Sequence, residues 1–221
     1  MNHTKERILD TAERLFSEQG YAATSLRSII ASAGVNLAAV HYHFHSKEAL
    51  LEAVILRRSV PANQERLALL ERYELAAGDN PPPLEKVIEA FVAPTFRMAR
   101  DPANGGMVFM RLLGRLHAEG DLLSGILISQ FRDVLERFAA AVRLALPDLP
   151  PAELFWRLNF AIGALGQALR GGSKDVGVIS DLSLASSSEM ALEQLVAFLS
   201  AGFRAQVTAH LIEEAHAATK E

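Results

Sequence analysis

Residues 24–47 read TSLRSIIASAGVNLAAVHYHFHSK and set hydrogen-bond donors at both ends of a short, apolar-laced segment. Thr24, Ser25 and Arg27 stand at one end, Tyr42, His43 and Lys47 at the other. Hydroxyl, guanidinium, imidazole and ammonium groups in two clusters suit the oxygens of a phosphate backbone. Between them Asn36, Leu37, Ala38 and His41 are candidates for the inner face of such a contact. Small residues at Ala38 and Ala39 let a helix settle deep in a major groove, where side chains reach base edges. The segment from Glu18 to Glu48 contains no Asp or Glu between its ends, although the chain has 26 acids in 221 residues and a formal net charge of -4. A local acid-free window weighs more for a duplex than the global balance does. The competing chemistry is metal ligation by His41 and His45, which lie at i,i+4 spacing. No acid or thiol accompanies them, so no metal is assigned. Tyr42 and Lys47 also have plainer readings, as a core ring and a solvated charge.

These side chains need elements to hold them. Ile8, Ala12, Leu15 and Phe16 recur at helical spacing, and Gly20 closes that first helix. Thr24 or Ser25 caps a second, through Leu26, Ile29, Ile30 and Ala33. Gly34 ends it in a left-handed turn, and Ala33 is small because two helices approach there. Asn36 caps a third helix over residues 37–43. A fourth begins near Ser46, with Glu48 and Glu52 early and Arg57 and Arg58 late, as the helix dipole favours. Helix, glycine turn, helix is the helix-turn-helix pattern. Its two short helices need a third wall, so Phe16 is expected to pack on Leu26, Ile29, Val35, Val40 and Phe44.

A second group lies downstream. Phe91, Phe96, Met98, Met107, Phe109, Met110 and Leu113 supply soft apolar surface that can line an adaptable cavity, or can serve as ordinary core. Arg111 and Arg115 share a helix face and can hold a carboxylate or phosphate, or can be surface charges. From these, Phe91, Phe96, Met107, Met110, Arg111, Leu113 and Arg115 are taken as candidate ligand-binding residues. Gly171-Gly172-Ser173-Lys174 lacks the spacing and preceding strand of a phosphate loop.

Half of the residues are hydrophobic and there is no cysteine, which excludes disulfides, thiolate metal sites and a cysteine nucleophile. No nucleotide fingerprint, catalytic triad or metal signature appears, so no cofactor and no enzymatic activity is expected. The N-terminus is no signal peptide and no apolar run spans a bilayer, so a cytoplasmic chain with no membrane partner is expected. Further helical patterns lie near 84–100, 105–118, 123–146, 152–169 and 189–215, and a glycine-rich segment, 171–188, reads as a mobile loop. The fold class is all-α. Phe155, Leu158, Ile162, Leu165 and Leu169, and then Leu192, Leu195, Val196, Leu199 and Phe203, form stripes beside small residues. These suit either a subunit interface or the monomer's own core.

The run from Ile8 to Leu51 resembles the DNA-binding domain of TetR-family repressors. The matching features are Gly20, Thr24, Ala33-Gly34-Val35, Tyr42-His43-Phe44 and Ser46-Lys47; His41 departs, many members having Tyr there. FMRLLGRLH (109–117) and LPPAELFWRLNFAIGAL (149–165) resemble the ligand domain of the PsrA-like branch, which is associated with fatty-acid-responsive repression. The resemblance implies a helix-turn-helix domain over 1–47 and a ligand-binding and dimerisation domain over 48–221, the two linked by helix 48–58. It implies a homodimer on a palindromic double-stranded DNA operator, released by a small apolar inducer. An inducer of fatty-acyl type is expected, with an uncharged aromatic or drug-like compound as alternative. A helical enzyme and a DNA-binding protein without ligand are the competing classes.

Overall fold

The computed structural model describes residues 2–99, 101, 106–118, 121–169 and 188–207. Among them every regular element is a helix: α1 (Asn2–Gln19), α2 (Leu26–Ala33), α3 (Leu37–Phe44), α4 (Lys47–Ala77), α5 (Leu84–Ala99), α6 (Gly106–Ala118), α7 (Asp121–Ala145), α8 (Pro151–Leu169) and α9 (Ser188–Phe203). No helix among the described residues is long and apolar enough to cross a membrane. The expected loop 171–188 lies outside the described residues except for Ser188, where α9 starts.

Two helices differ from expectation. The fourth runs well past residue 58, to Ala77, through Pro61. A proline removes one N–H, here the donor that would reach the Arg57 carbonyl, and the flanking turns carry the helix through. The last helix was expected to reach residue 215 and ends at Phe203. The Phe203 carbonyl accepts from Arg157 Nη1 at 2.7 Å, which satisfies the helix end with a side chain. Residues 208–215 lie outside the described residues.

The chain divides into two compact units, one from residues 1–64 and 97–132, the other from residues 65–96 and 133–221. The first is built around α1. Ile8, Ala12 and Phe16 are fully buried, and Ile29, Val40 and Phe44 of α2 and α3 close on the same core. Leu26 and Val35 pack partly buried against it, as the periodicity anticipates. Two further walls were not foreseen: Leu50, Leu51, Val54 and Ile55 of α4, and Phe109, Leu112 and Leu116 of α6. Phe109, read from sequence as possible cavity surface, is fully buried here. The start of α6 is tight as well, since a Cβ on Gly106 would lie 1.8 Å from the Met98 carbonyl oxygen.

A polar clamp joins α1 to α4 in this unit. Glu13 is buried and accepts from Arg58 Nη2 at 3.0 Å and from Arg57. Arg57 also reaches Asp10 at 2.7 Å and Glu6 at 3.2 Å. A carboxylate out of water is tolerable because two guanidiniums meet it. The second unit has its own core, with Val87, Phe96, Phe138, Leu154, Leu195 and Leu199 among its buried members. Within α8, buried Glu153 and Arg157 pair at 2.8 Å.

Glu13→Ala leaves two guanidiniums without their buried partner and is expected to lower stability by about 2–4 kcal/mol. Glu18→Ala breaks only the exposed Arg14–Glu18 pair and is expected to cost less than ~1 kcal/mol. Paired urea denaturation curves check this; equal midpoints for the two variants would refute the clamp.

Candidate functional site

The helix-turn-helix is capped at each of its ends by its own sequence. Ser25 Oγ accepts from the Ser28 backbone N–H at 3.0 Å, and Ser28 Oγ accepts in return from the Ser25 N–H at 3.1 Å. This reciprocal box satisfies two of the donors a helix start leaves open. Gly34 ends α2 at φ 61°, the left-handed conformation expected of it. Arg7 of α1 donates to the Gly34 carbonyl at 3.1 Å and to that of Ala33, tying the turn to the first helix. Asn36 Oδ1 accepts from the Ala39 N–H at 2.8 Å and starts α3. His45 ends α3 with φ 60°, an uncommon conformation for a side chain other than glycine. The sharp exit lets Ser46 cap α4, its hydroxyl accepting from the Ala49 N–H at 3.1 Å.

α3 is thereby held with one side in the core and one in water. Val40 and Phe44 are buried, whereas Leu37, Ala38, His41 and Tyr42 are exposed. Tyr42 is 69% exposed, which removes the reading of it as a core ring. Its ring meets the half-buried His43 edge-on, with centroids 5.0 Å apart. Ser25, Arg27 and Asn36 are exposed, and Lys47 is half-buried. Thr24 is a correction. It is buried, its hydroxyl donates to the Gly20 carbonyl at 2.7 Å, and its N–H donates to the Tyr21 carbonyl. It closes the bend between α1 and α2 and offers no side-chain donor to a phosphate. Asn36 uses its oxygen on capping and still offers its amide nitrogen, whereas the Ser25 hydroxyl accepts in its cap and also donates to Ser28 Oγ at 3.3 Å.

Two neighbours of Lys47 were not singled out by sequence reasoning. Lys47 Nζ lies 4.1 Å from the centre of the Tyr21 ring, and the Tyr21 hydroxyl donates to Glu48 Oε1 at 2.8 Å. Burial, then the bond to Glu48 and its charge, push the Tyr21 phenol up. The Glu48 carboxyl is held below the usual carboxylate range by its own backbone N–H first, then by Tyr21 and Ser46. Neither contact is visible in the spacing, because 21 and 47 are far apart in sequence.

The candidate ligand residues fall in both units, and neither unit holds all seven. Phe91 and Phe96 belong to the second, with Phe96 buried in its core. Met107, Met110, Arg111, Leu113 and Arg115 lie on α6 in the first. There Met110 and Leu113 pack half-buried against the core, while Met107, Arg111 and Arg115 are exposed. Within the second unit Phe91, Ile88, Phe138, Leu158, Leu199 and Phe203 help line an apolar cleft of about 20 Å³ between α5, α7, α8 and α9. Arg66 lies beside it, stacked on the Phe91 ring at 5.4 Å and donating to the Phe91 carbonyl at 2.8 Å. Burial pulls its guanidinium down to about 10. The expected stripes on α8 and α9 also divide. Leu165, Leu195, Leu199 and Phe203 turn into the unit's core, Leu158, Leu169, Leu192 and Val196 pack partly buried against it, and Phe155 and Ile162 are exposed; Trp156, Phe160 and Phe198, which lie outside those stripes, are exposed as well.

Residues 8–54 match the family model for bacterial regulatory proteins of the tetR family, and residues 89–202 match that for the tetracyclin repressor-like C-terminal domain. The HTH-type transcriptional repressor BepR of Brucella suis is 31% identical over 144 residues, 64% of this chain and 66% of that protein. The uncharacterized HTH-type transcriptional regulator YerO of Bacillus subtilis is 49% identical over 51 residues, 23% of this chain and 18% of that one. The chain thus aligns with less than a fifth of YerO's length and about two thirds of BepR's. Among solved structures, SmeT in complex with triclosan is 25% identical with a TM-score of 0.59, over 89% of this chain and 91% of SmeT.

Proposed function

This chain belongs to the TetR family of transcriptional regulators, which are DNA-binding proteins and not enzymes, and on that footing we propose that it is a repressor that binds a palindromic operator as a homodimer and is released by a small apolar inducer. The observation that carries the DNA reading is the two-sidedness of α3. Val40 and Phe44 fix it to the core while Leu37, Ala38, His41 and Tyr42 face outward, in a segment with no acid between Glu18 and Glu48. In this reading Ala38 and His41 meet base edges, with Leu37 against apolar base surface. Ser25, Arg27, Asn36, Tyr42, His43 and Lys47 meet phosphates on either side.

The homodimer rests on the exposed rings of α8 and α9. Phe155, Trp156, Phe160 and Phe198 are each more than half exposed, and Gly163, Gly166 and Gly202 beside them have open space where a Cβ would stand. Rings next to glycines allow a second pair of helices to approach closely. Two helices from each subunit make a four-helix interface.

For the inducer we propose a fatty acid or its thioester, in keeping with the resemblance to the PsrA-like branch. The cleft beside Phe91 has a wholly apolar lining that would receive an acyl tail once its rings move apart, and each buried methylene is worth about 0.8 kcal/mol. Arg66, packed on Phe91, supplies positive charge next to that lining for an anionic head. Arg111 and Arg115 stand exposed on α6, the surface placement weighed as their alternative, and are left out of this assignment. An uncharged aromatic inducer is the second reading, favoured by the likeness to SmeT, which was solved with triclosan.

Three outcomes are expected. Lys47→Ala should weaken binding to specific and random duplexes by a similar factor and reduce the salt slope by about 1, whereas substitutions at Ala38 or His41 should change which sequence is preferred. An unchanged affinity and slope for Lys47→Ala, measured by fluorescence anisotropy across a salt series, would remove the phosphate assignment. Phe198→Glu should turn a dimer into a monomer in sedimentation at micromolar concentration, and a wild-type chain that sediments as a monomer would refute the interface. Fatty acids of increasing length should release the protein from operator DNA with rising potency up to a cut-off. Release by an uncharged aromatic compound and by no acid or thioester would favour the second reading.

A further inference from the structure

Lys47 and Glu48 are adjacent, oppositely charged residues at the start of α4, and they do not pair. Lys47 is in none of the ion pairs within 4.0 Å among the described residues, although, after the backbone N–H, Tyr21 and Ser46, its charge still helps lower the Glu48 carboxyl. Adjacent helix positions do not face each other, and Tyr21, from the bend after α1, contacts both. Its ring face carries the Lys47 ammonium at 4.1 Å and its hydroxyl edge binds the Glu48 carboxylate at 2.8 Å. Tyr21 is itself fixed, half-buried, with its ring 5.6 Å from that of Phe16 in the core. A lysine as the first residue of a helix also opposes the helix dipole, and within α4 its charge acts weakly, as the last of the causes that lower the Glu48 carboxyl.

We propose that Tyr21 is a positioning residue for DNA binding: it holds Glu48 at its hydroxyl and Lys47 over its ring, and so keeps the Lys47 charge from being neutralised by its own neighbour and available to a phosphate. This rests on the reading of Lys47 as a phosphate contact. The chemistry follows from geometry. The face of an aromatic ring attracts an ammonium without cancelling its formal charge, and a phenolic O–H satisfies a carboxylate that would otherwise seek the nearest cation. Remove the hydroxyl, and Glu48 keeps its backbone N–H and Ser46 but loses the bond that draws it away from Lys47. The Glu48 charge then offsets that of Lys47 at the edge of the acid-free segment.

The test uses the full chain and a random-sequence duplex, titrated by fluorescence anisotropy at several salt concentrations. Tyr21→Phe keeps the ring and removes only the hydroxyl. It is expected to weaken binding on the order of threefold, the scale of an exposed ion pair, and to lower the salt slope toward that of Lys47→Ala. Adding Glu48→Gln to Tyr21→Phe should restore both affinity and slope, because the competing charge is gone. In a Lys47→Ala background Tyr21→Phe should have no further effect. A purely structural role for Tyr21 would lower the melting temperature and leave the loss in place when Glu48 is neutralised. Wild-type affinity and slope for Tyr21→Phe, or a loss that Glu48→Gln does not rescue, would overturn the proposal. If Tyr21→Phe melts early, the comparison of Glu48→Gln with wild type decides in its place: an intact anchor predicts equal affinity, and a large gain would show that Glu48 already competes for Lys47. A wild-type chain that binds no duplex overturns the DNA reading itself, before any variant is compared.

Discussion

α2 and α3 have eight residues each, and a helix of that length is not stable alone in water. Whatever these helices do outside depends on apolar surface lent to them from elsewhere. Phe16 is the centre of the loan: fully buried in α1, it shares a core with Ile29, Val40 and Phe44. Burial of such a ring is worth about 1.5–3 kcal/mol. α4 and α6 complete the enclosure with Leu51, Ile55, Phe109 and Leu112. Because α3 spends Val40 and Phe44 on this core, its remaining faces are free to carry residues chosen for another purpose. Leu37 and Tyr42 are among these outward residues.

The polar groups are arranged by the same economy. Ser25, Ser28, Asn36 and Ser46 close the starts of α2, α3 and α4, and Arg7 satisfies carbonyls at the turn. With the helix ends satisfied from within, the surface that remains is set by α3's outward side chains and by Lys47. The Glu13 clamp acts on the opposite flank of α1. There Glu6, Asp10 and Glu13 all point to Arg57 and Arg58 of α4. α1 therefore turns Glu6, Asp10 and Glu13 toward α4, while Glu18 at its end pairs with Arg14.

Local features of this architecture were legible in the sequence. The period of Ile8, Ala12, Leu15 and Phe16, the left-handed Gly34 and the caps at Ser25 and Asn36 depend on residues a few positions apart, and each stands as the spacing implied. Thr24 was misplaced because a hydroxyl at a helix start serves equally as a cap, a surface donor or a bond to the preceding turn. Only the position of Gly20's carbonyl decides among these. α4's passage through Pro61 was missed because a proline inside a helical pattern stops a helix or merely costs it one bond, and packing selects between the two. Tyr21 over Lys47 and α6 against α1 are contacts between residues remote in sequence, and no periodicity encodes them. On α8 and α9 two apolar stripes were identified, but the exposed Trp156, Phe160 and Phe198 lay outside them, and which stripe residues face inward was not. Both helices are apolar on more than one side, and a stripe carries no label for the face that is buried by its own unit.

The size of the cleft in the second unit bears on how a ligand can act. At about 20 Å³ it has room for little more than one water-sized group, far less than an acyl chain occupies. Phe91 packs edge-on to Phe138 at 5.2 Å within it, so an apolar ligand enters only by displacing rings that now fill each other's space. Such a ligand necessarily prefers a state with the rings apart. A differential affinity between two states is what a population shift requires. Under the proposed reading, then, the closed cleft belongs to the state competent for DNA, and the coupling free energy between inducer and operator is set by how much more weakly DNA binds the open state. By reciprocity, operator DNA must weaken inducer binding by the same factor as inducer weakens DNA binding.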